Sequence, residues 1–140
     1  MELEIKRGCS GVDWKTVSEI LKLVGMAHYD PDVHRRAFEA SHTTAFVYLG
    51  DQLIGFGRTI SDGVYQAAIY DVAVIPEFQK KGIGTKIMEN ILDALSQCNI
   101  ILYASPGKEE FYRTLGLRIM RTGMARFREA EEMKERGFTE

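Results

Sequence analysis

Cysteine is scarce in this chain. Only Cys9 and Cys98 occur in 140 residues, with no C-x-x-C pair and no spaced Cys/His set. This pattern excludes a zinc finger and a disulfide-stapled secreted scaffold, and a reduced, cytoplasmic protein is expected. No apolar run approaches the roughly 18 residues of a membrane-crossing helix. The opening residues 1–7 carry charges with no apolar segment behind them, so neither a membrane span nor a leader peptide is expected. Charge of one sign is not in excess either: 18 Lys and Arg against 20 Asp and Glu leave −2. Such a balance gives no global field for gripping nucleic acid, so any anion site must be local. Repeats, low-complexity tracts and a dividing linker are also missing. One domain over 1–140 is expected, ending in a charged tail at 128–140.

What is present is enough apolar material for a core. Hydrophobic residues make up 45% of the chain, and a chain near this length buries roughly 70% of the surface that it exposes when unfolded. Leu3 and Ile5 alternate with Glu4 and Lys6 as a short strand. Asp13 stands at an N-cap position before Trp14, Val17, Ile20, Leu21 and Val24, which fall at helical spacing until Gly25. A second helix is expected from Asp30-Pro31, with Val33, Ala37 and Phe38 on one face.

Residues 43–49 and 53–60 are rich in β-branched and aromatic side chains and flank Gly50-Asp51-Gln52, which predicts a hairpin. After the turn at Ser61-Asp62-Gly63, residues 64–74 return as a third antiparallel strand ended by Pro76. Ile83, Ile87, Met88, Ile91, Leu92 and Leu95 form the apolar stripe of a helix that opens at Gly82-Ile83-Gly84. Beyond it a strand at 99–104, a short helix at 108–115 closed by Gly116, and a last hairpin from 117–120 and 124–127 are expected. The tail is a solvated helix or frayed. Together these elements predict an α/β (α+β) fold, a mixed and mostly antiparallel sheet flanked by helices.

The segment Gln79-Lys80-Lys81-Gly82-Ile83-Gly84-Thr85 joins a strand to a helix. Free N–H groups at the helix start, its dipole, two glycines and two lysines together suit an anion. A Walker A string is absent, and the dinucleotide fingerprint fails because position 87 is Ile87 and not glycine. The spacing Gln-x-x-Gly-x-Gly resembles the pyrophosphate signature of the GNAT superfamily of N-acetyltransferases. Tyr70-Asp71-Val72-Ala73-Val74-Ile75-Pro76 is similar to that family's fourth strand, and Leu53-Ile54-Gly55-Phe56-Gly57-Arg58 to its third. Phe111-Tyr112-Arg113-Thr114-Leu115-Gly116-Leu117 resembles its later Phe-Tyr-x-x-x-Gly-Phe segment, with Leu117 in place of the phenylalanine. The resemblance runs from the Asp13 helix to Phe127.

It implies acetyl-CoA as acetyl donor and direct acyl transfer to a primary amine. Backbone groups of Val72, Ala73 and Val74, freed where the central strand splays from its neighbour, would hold the pantetheine arm and thioester carbonyl. Gln79, Lys80, Lys81, Gly82, Ile83, Gly84 and Thr85 would take the pyrophosphate. Ser105, standing where many members have an asparagine, and Phe111 complete the implied cofactor contacts. Tyr112 is the implied acid for the departing thiolate: a phenol of pKa about 10 can donate to a thiolate whose conjugate acid lies near 8.5.

An amine of pKa about 10.4 must lose a proton before attack, at a cost of roughly 4–5 kcal/mol at pH 7. Asp71 is the first candidate base, with a hydrogen-bonded role fixing neighbouring loops as its equal alternative; Tyr70 is expected to point the opposite way and pack. His28, His34 and His42 are expected as surface or helix residues whose spacing suits no metal, and no metal site is expected. His28 and Tyr29 lie where the family's acceptor wall is implied, and are candidate substrate contacts. Neither cysteine has a visible His or Asp partner, so a cysteine nucleophile has no support.

Two rival classes remain: a non-catalytic acetyl-CoA-binding regulatory module, and a nucleic-acid-binding domain using Lys80, Lys81, Arg113, Arg118 and Arg121. The presence of Tyr112 favours the enzyme over the first, and the net charge opposes the second. The acceptor, a small molecule or a protein, stays open, as does a monomer or homodimer; no nucleic-acid or membrane partner is expected.

Overall fold

The computed structural model describes residues 2–140, which form two compact units dividing after Leu102. The first unit runs β1 (Leu3–Arg7), α1 (Trp14–Leu23), α2 (Pro31–Glu39), β2 (Thr43–Leu49), β3 (Gln52–Ser61), β4 (Gln66–Val74), a 3-10 turn (Pro76–Phe78), α3 (Ile83–Ala94) and β5 (Asn99–Ile101). The five strands make one sheet in sequence order. Neighbours from β1 to β4 are antiparallel, and β5 lies parallel to β4. The mixed, mostly antiparallel sheet with flanking helices is the architecture expected from the sequence.

Local chemistry places the helices. Asp13 caps α1 by accepting from the N–H groups of Lys15 and Thr16 at 3.0 and 3.4 Å, which satisfies donors that the first turn leaves unpaired. The α1 face at spacings of three and four buries Val17, Ile20 and Leu21. Pro31 starts α2, where its missing N–H costs nothing. On this side of the sheet the core is aromatic: Phe38 from α2 lies 5.5 Å from Trp14, 5.6 Å from Phe46 and 5.7 Å from Phe56, centroid to centroid.

The other side of the sheet is covered by α3, which buries Ile83, Ile87, Met88 and Ile91. It comes close because β3 presents glycines. A Cβ on Gly55 would stand 3.0 Å from the Ala73 carbonyl oxygen and 3.1 Å from Ile87 Cδ1, and one on Gly57 would stand 3.1 Å from Ile87 Cγ2.

Two boundaries differ from expectation. β4 starts at Gln66 because the Asp62 carboxylate accepts from the N–H groups of Val64, Tyr65 and Gln66, wrapping those residues into a turn. The strand expected at 99–104 ends at Ile101.

The second unit holds α4 (Glu109–Thr114) and α5 (Ala130–Glu135). The hairpin expected over 117–127 does not form among the described residues. Its apolar members Ile119, Met120 and Met124 are exposed, so their alternation has no face to bury, which is what strand pairing needs. The charged tail is the helical alternative: α5 is capped at Arg136 and followed by Gly137, whose φ is 86°, with Phe138 N–H on the Met133 carbonyl. Tyr103 packs edge-on against Phe127 and Phe138, with centroids 5.4 and 5.9 Å apart.

Candidate functional site

The register between β3 and β4 breaks in one stretch. Arg58 pairs with Tyr70 and Phe56 with Ala73, so Asp71 and Val72 together oppose the single residue Gly57. This is a β-bulge, which bends its strand and re-aims side chains. Asp71 takes a left-handed backbone, φ 56°, unusual for a residue with a Cβ. Arg58 holds it there. Its Nε donates to Asp71 Oδ2 at 2.7 Å in a largely buried ion pair, and its Nη1 reaches Ser41 Oγ at 3.4 Å.

The Arg58 guanidinium also lies 5.6 Å from the Phe38 ring centroid and 5.5 Å from that of Tyr70. Strict alternation was expected to send Tyr70 and Asp71 to opposite faces. Instead both meet Arg58, because the extra residue shifts the pleat. Of the two roles open to Asp71, the ion pair favours fixing the backbone over serving as a base: the carboxylate is already engaged by a permanent cation. Neither Arg58 nor Ser41 was singled out from sequence as a site residue, since only the bulge gives them a task.

Beyond the bulge the sheet opens. β5 pairs with β4 only from Gln66 to Ala68, opposite Asn99 to Ile101. β4 continues to Val74, so Val72, Ala73 and Val74 have no β5 partner on that edge. The chain then makes its 3-10 turn, and Gln79 Nε2 donates back to the Val74 carbonyl at 2.9 Å. Gln79 therefore ties the loop to the end of the strand.

Lys80 and Gly82 both have positive φ, 62° and 83°, and Gly82 is the N-cap of α3 with no side chain capping the helix. The first N–H groups of a helix have no intrahelical acceptor. At α3 these belong to the turn that starts at Ile83, Gly84 and Thr85. Ile83 is buried, so it has only its backbone to offer. A Cβ on Gly82 would meet nothing within 4 Å, so the mouth of the loop is open. Lys80 is exposed, and Lys81 Nζ rests 5.4 Å from the Phe78 ring centroid. Uncapped N–H groups, open space and two cations in one loop fit a pyrophosphate.

The connection between α1 and α2 carries His28 and Tyr29. The Tyr29 ring is 57% exposed, but its peptide is held from both sides. Its N–H donates to His34 Nε2 at 2.9 Å, and its carbonyl accepts from Ser18 Oγ at 2.6 Å. His28 is exposed, its Nδ1 3.2 Å from the Met26 carbonyl.

His34 corrects the expectation of a surface or ordinary helix residue: only 4% of it is exposed. Burial pushes its pKa down, with Asp71 opposing the shift and the Arg58 and His28 charges adding to it. It stands four residues before Phe38, on the face of α2 that meets the sheet, and that spacing was the available signal. His42 contacts Thr43 Oγ1 at 2.9 Å.

Ser105, Phe111 and Tyr112 belong to the second unit. Ser105 is an exposed turn residue whose carbonyl accepts from Lys108 N–H at 2.9 Å. Phe111 and Tyr112 sit side by side on α4 with ring centroids 5.0 Å apart. Burial pushes the Tyr112 phenol above its ordinary pKa, keeping the proton that an acid must carry. Their assignment to cofactor and leaving group rests on the resemblance of their segment.

The thiols are poorly placed for nucleophilic work. Cys9 is half-buried 4.0 Å from Thr44 Oγ1, and burial pushes its pKa up. Cys98 is half-buried 3.9 Å from Ser61 Oγ. A separate groove of about 460 Å³ includes Cys9, Arg7, Ser41 and His42 in its lining. Its polar groups are already engaged: Arg7 on Asn90, Ser41 on the Ala37 carbonyl and His42 on Thr43.

Comparison with known proteins assigns the family. The family model described as acetyltransferase (GNAT) domain covers residues 20–126. The chain is 32% identical over 143 residues to serotonin N-acetyltransferase 2, chloroplastic, of Oryza sativa subsp. japonica, covering 93% of this chain and 70% of that protein. It is also 32% identical over 119 residues to GCN5-related N-acetyltransferase 1, chloroplastic, of Arabidopsis thaliana, covering 80% of this chain. This chain spans only 59% of that relative's length. Among solved structures, a GNAT-family acetyltransferase from Streptococcus pneumoniae superposes with a TM-score of 0.77 at 24% identity, over 91% of this chain and 99% of that one. The chain belongs to the GNAT superfamily of N-acetyltransferases, whose acetyl donor is acetyl-CoA.

Proposed function

We propose that this protein transfers the acetyl group of acetyl-CoA directly to a primary amine that approaches β4 from the side covered by α1 and α2. The observation that carries this reading is the opened edge of β4: residues past Ala68 have no β5 partner, and they lead straight into an uncapped helix N-terminus. A long anionic thioester donor can lie along that path, its pyrophosphate on the 79–85 loop and its carbonyl near Val72 to Val74.

The amine nitrogen attacks the thioester carbonyl carbon, the C–S bond breaks, and the electron pair leaves on sulfur. The amine attacks in its neutral form and loses one proton to solvent water as the amide forms, while the thiolate takes one from Tyr112, which solvent reprotonates, so the products are an amide and a free thiol. Asp71 and Arg58 hold the bulge that shapes the acetyl end of the path. His28 and the exposed Tyr29 ring are the acceptor contacts. An arylalkylamine is the first acceptor to try, supported by the activity in the rice relative's name and by the exposed aromatic ring of Tyr29.

Calorimetric titration with acetyl-CoA, with NAD and ATP as controls, tests the donor. Thiol release with serotonin, a lysine peptide and a polyamine then tests the acceptor. Micromolar acetyl-CoA binding with amine-dependent thiol release is expected. Acetyl-CoA binding without thiol release for any amine would leave a cofactor-binding module, and no binding would overturn the reading.

A further inference from the structure

The peptide of Tyr29 is gripped twice. Ser18 on α1 donates to its carbonyl and His34 on α2 accepts its N–H, so one residue of the connection is pinned between the two helices. The second grip has a chemical condition. An imidazole nitrogen accepts only when it carries no proton, so His34 must be neutral with its hydrogen on Nδ1. The two rings lie 5.6 Å apart, centroid to centroid, so the imidazole that holds the peptide also backs the exposed Tyr29 ring.

We infer that His34 is a positioning residue, whose neutral Nε2 fixes the Tyr29 peptide and thereby sets the place of the Tyr29 ring on the acceptor side of β4. The inference rests on reading Tyr29 as an acceptor contact. The charged groups that act on His34 come from β4, β3 and the connection between α1 and α2. Asp71 from β4 favours a proton on the ring, while Arg58 from β3 and His28 from the connection oppose it. On α2 itself, the exposed Asp32, Arg36 and Glu39 and the half-buried Arg35 are paired with one another. Burial is the largest opposition to that proton, in keeping with a ring that stays neutral while it holds the peptide.

A proton on Nε2 would turn an acceptor into a second donor facing the Tyr29 N–H. The grip would then be lost while the Ser18 contact, which does not titrate, remains. This separates a positioning role from simple core filling. A side chain that fills space has no pH profile and is not rescued by a polar replacement.

Backbone amide hydrogen exchange, followed residue by residue between about pH 5 and 8 and corrected for intrinsic rates, tests this in the full chain. In the wild-type protein the Tyr29 amide is expected to be protected at the upper end and to lose about tenfold of that protection at the lower, while Phe46 and Phe56 amides hold theirs. His34→Gln, whose amide oxygen can accept in the place of Nε2, is expected to keep Tyr29 protected at every pH. His34→Leu is expected to lose that protection at every pH, with the Phe46 and Phe56 amides reporting that the fold survives. Tyr29 protection that ignores both pH and the residue at 34 would overturn the inference. Tyr29→Ala separates the underlying reading: unchanged KM for an accepted amine would remove Tyr29 from the acceptor contacts, even with the exchange pattern as expected.

Discussion

Arg58 Nε stands 2.7 Å from Asp71 Oδ2, and the pair spans the place where β3 and β4 slip by one residue. The carboxylate is thus tied down at the residue whose backbone is left-handed, φ 56°. An ion pair that is mostly screened from water resists removal of one partner more than an exposed pair does.

Two substitutions at this position separate the pair from the backbone. Asp71→Ala removes the carboxylate and leaves a Cβ in the left-handed region, whereas Asp71→Gly removes the carboxylate and frees the backbone. Both proteins are expected to be less stable than wild type in urea, with the glycine variant more stable than the alanine variant by about 1 kcal/mol. Equal stabilities would show that the bulge stores no strain at Asp71.

The close approach of β3 to its neighbours predicts a second contrast. Gly55→Ala places a Cβ 3.0 Å from the Ala73 carbonyl oxygen, a backbone atom that cannot swing aside. A loss of about 1–3 kcal/mol is expected by denaturant titration. Gly123→Ala, whose Cβ would be 3.8 Å from its nearest neighbour, is expected to change stability by less than about 0.5 kcal/mol.

The lysines of the loop are exposed or resting on Phe78, so their loss should cost the fold little. Lys80→Ala with Lys81→Ala is expected to weaken acetyl-CoA binding about tenfold in calorimetry, the equivalent of about 1.4 kcal/mol. The melting temperature is expected to stay near wild type. Unchanged affinity would remove both side chains from the pyrophosphate site and leave it to the backbone.

Tyr112→Phe deletes one hydroxyl and keeps the ring beside Phe111. Acetyl transfer is expected to slow about a hundredfold while acetyl-CoA affinity stays close to wild type. An unchanged rate would return Tyr112 to a packing role.

His34 ties stability to pH. Its folded pKa is depressed by burial, so the unfolded chain takes a proton at a pH where the folded chain still refuses one. The contribution is complete above the ordinary imidazole value of about 6.5 and is lost as pH falls from there toward the folded value. Urea midpoints measured from about pH 7.5 down to 5 are expected to fall more steeply for wild type than for His34→Gln. Parallel curves would show that His34 does not set this slope.

Much of this protein follows from short-range rules. Asp13 before an apolar period of three and four, Pro31 at a helix start, and two β-branched runs around Gly50-Asp51-Gln52 specify elements locally, and each element formed. The 79–85 loop was equally legible, because glycines, lysines and a following amphipathic stripe lie within a few residues of one another. A hairpin over 117–127 was expected on the same grounds and is absent, since alternation alone cannot say whether any face is there to cover it.

The details of the acceptor side were not visible in this way. The bulge that brings Tyr70 and Asp71 to the same arginine depends on how β3 and β4 pair, and the ion pair it sets up joins residues 13 apart in the chain. His34 looked like one more helix histidine until packing buried it and gave its Nε2 a peptide to hold. Capping, periodicity and turn chemistry act over three or four residues, so a reader of the chain can weigh them directly. Register and burial are collective outcomes of packing α1, α2 and α3 against one sheet, and these set the geometry in which Arg58, Asp71 and His34 meet.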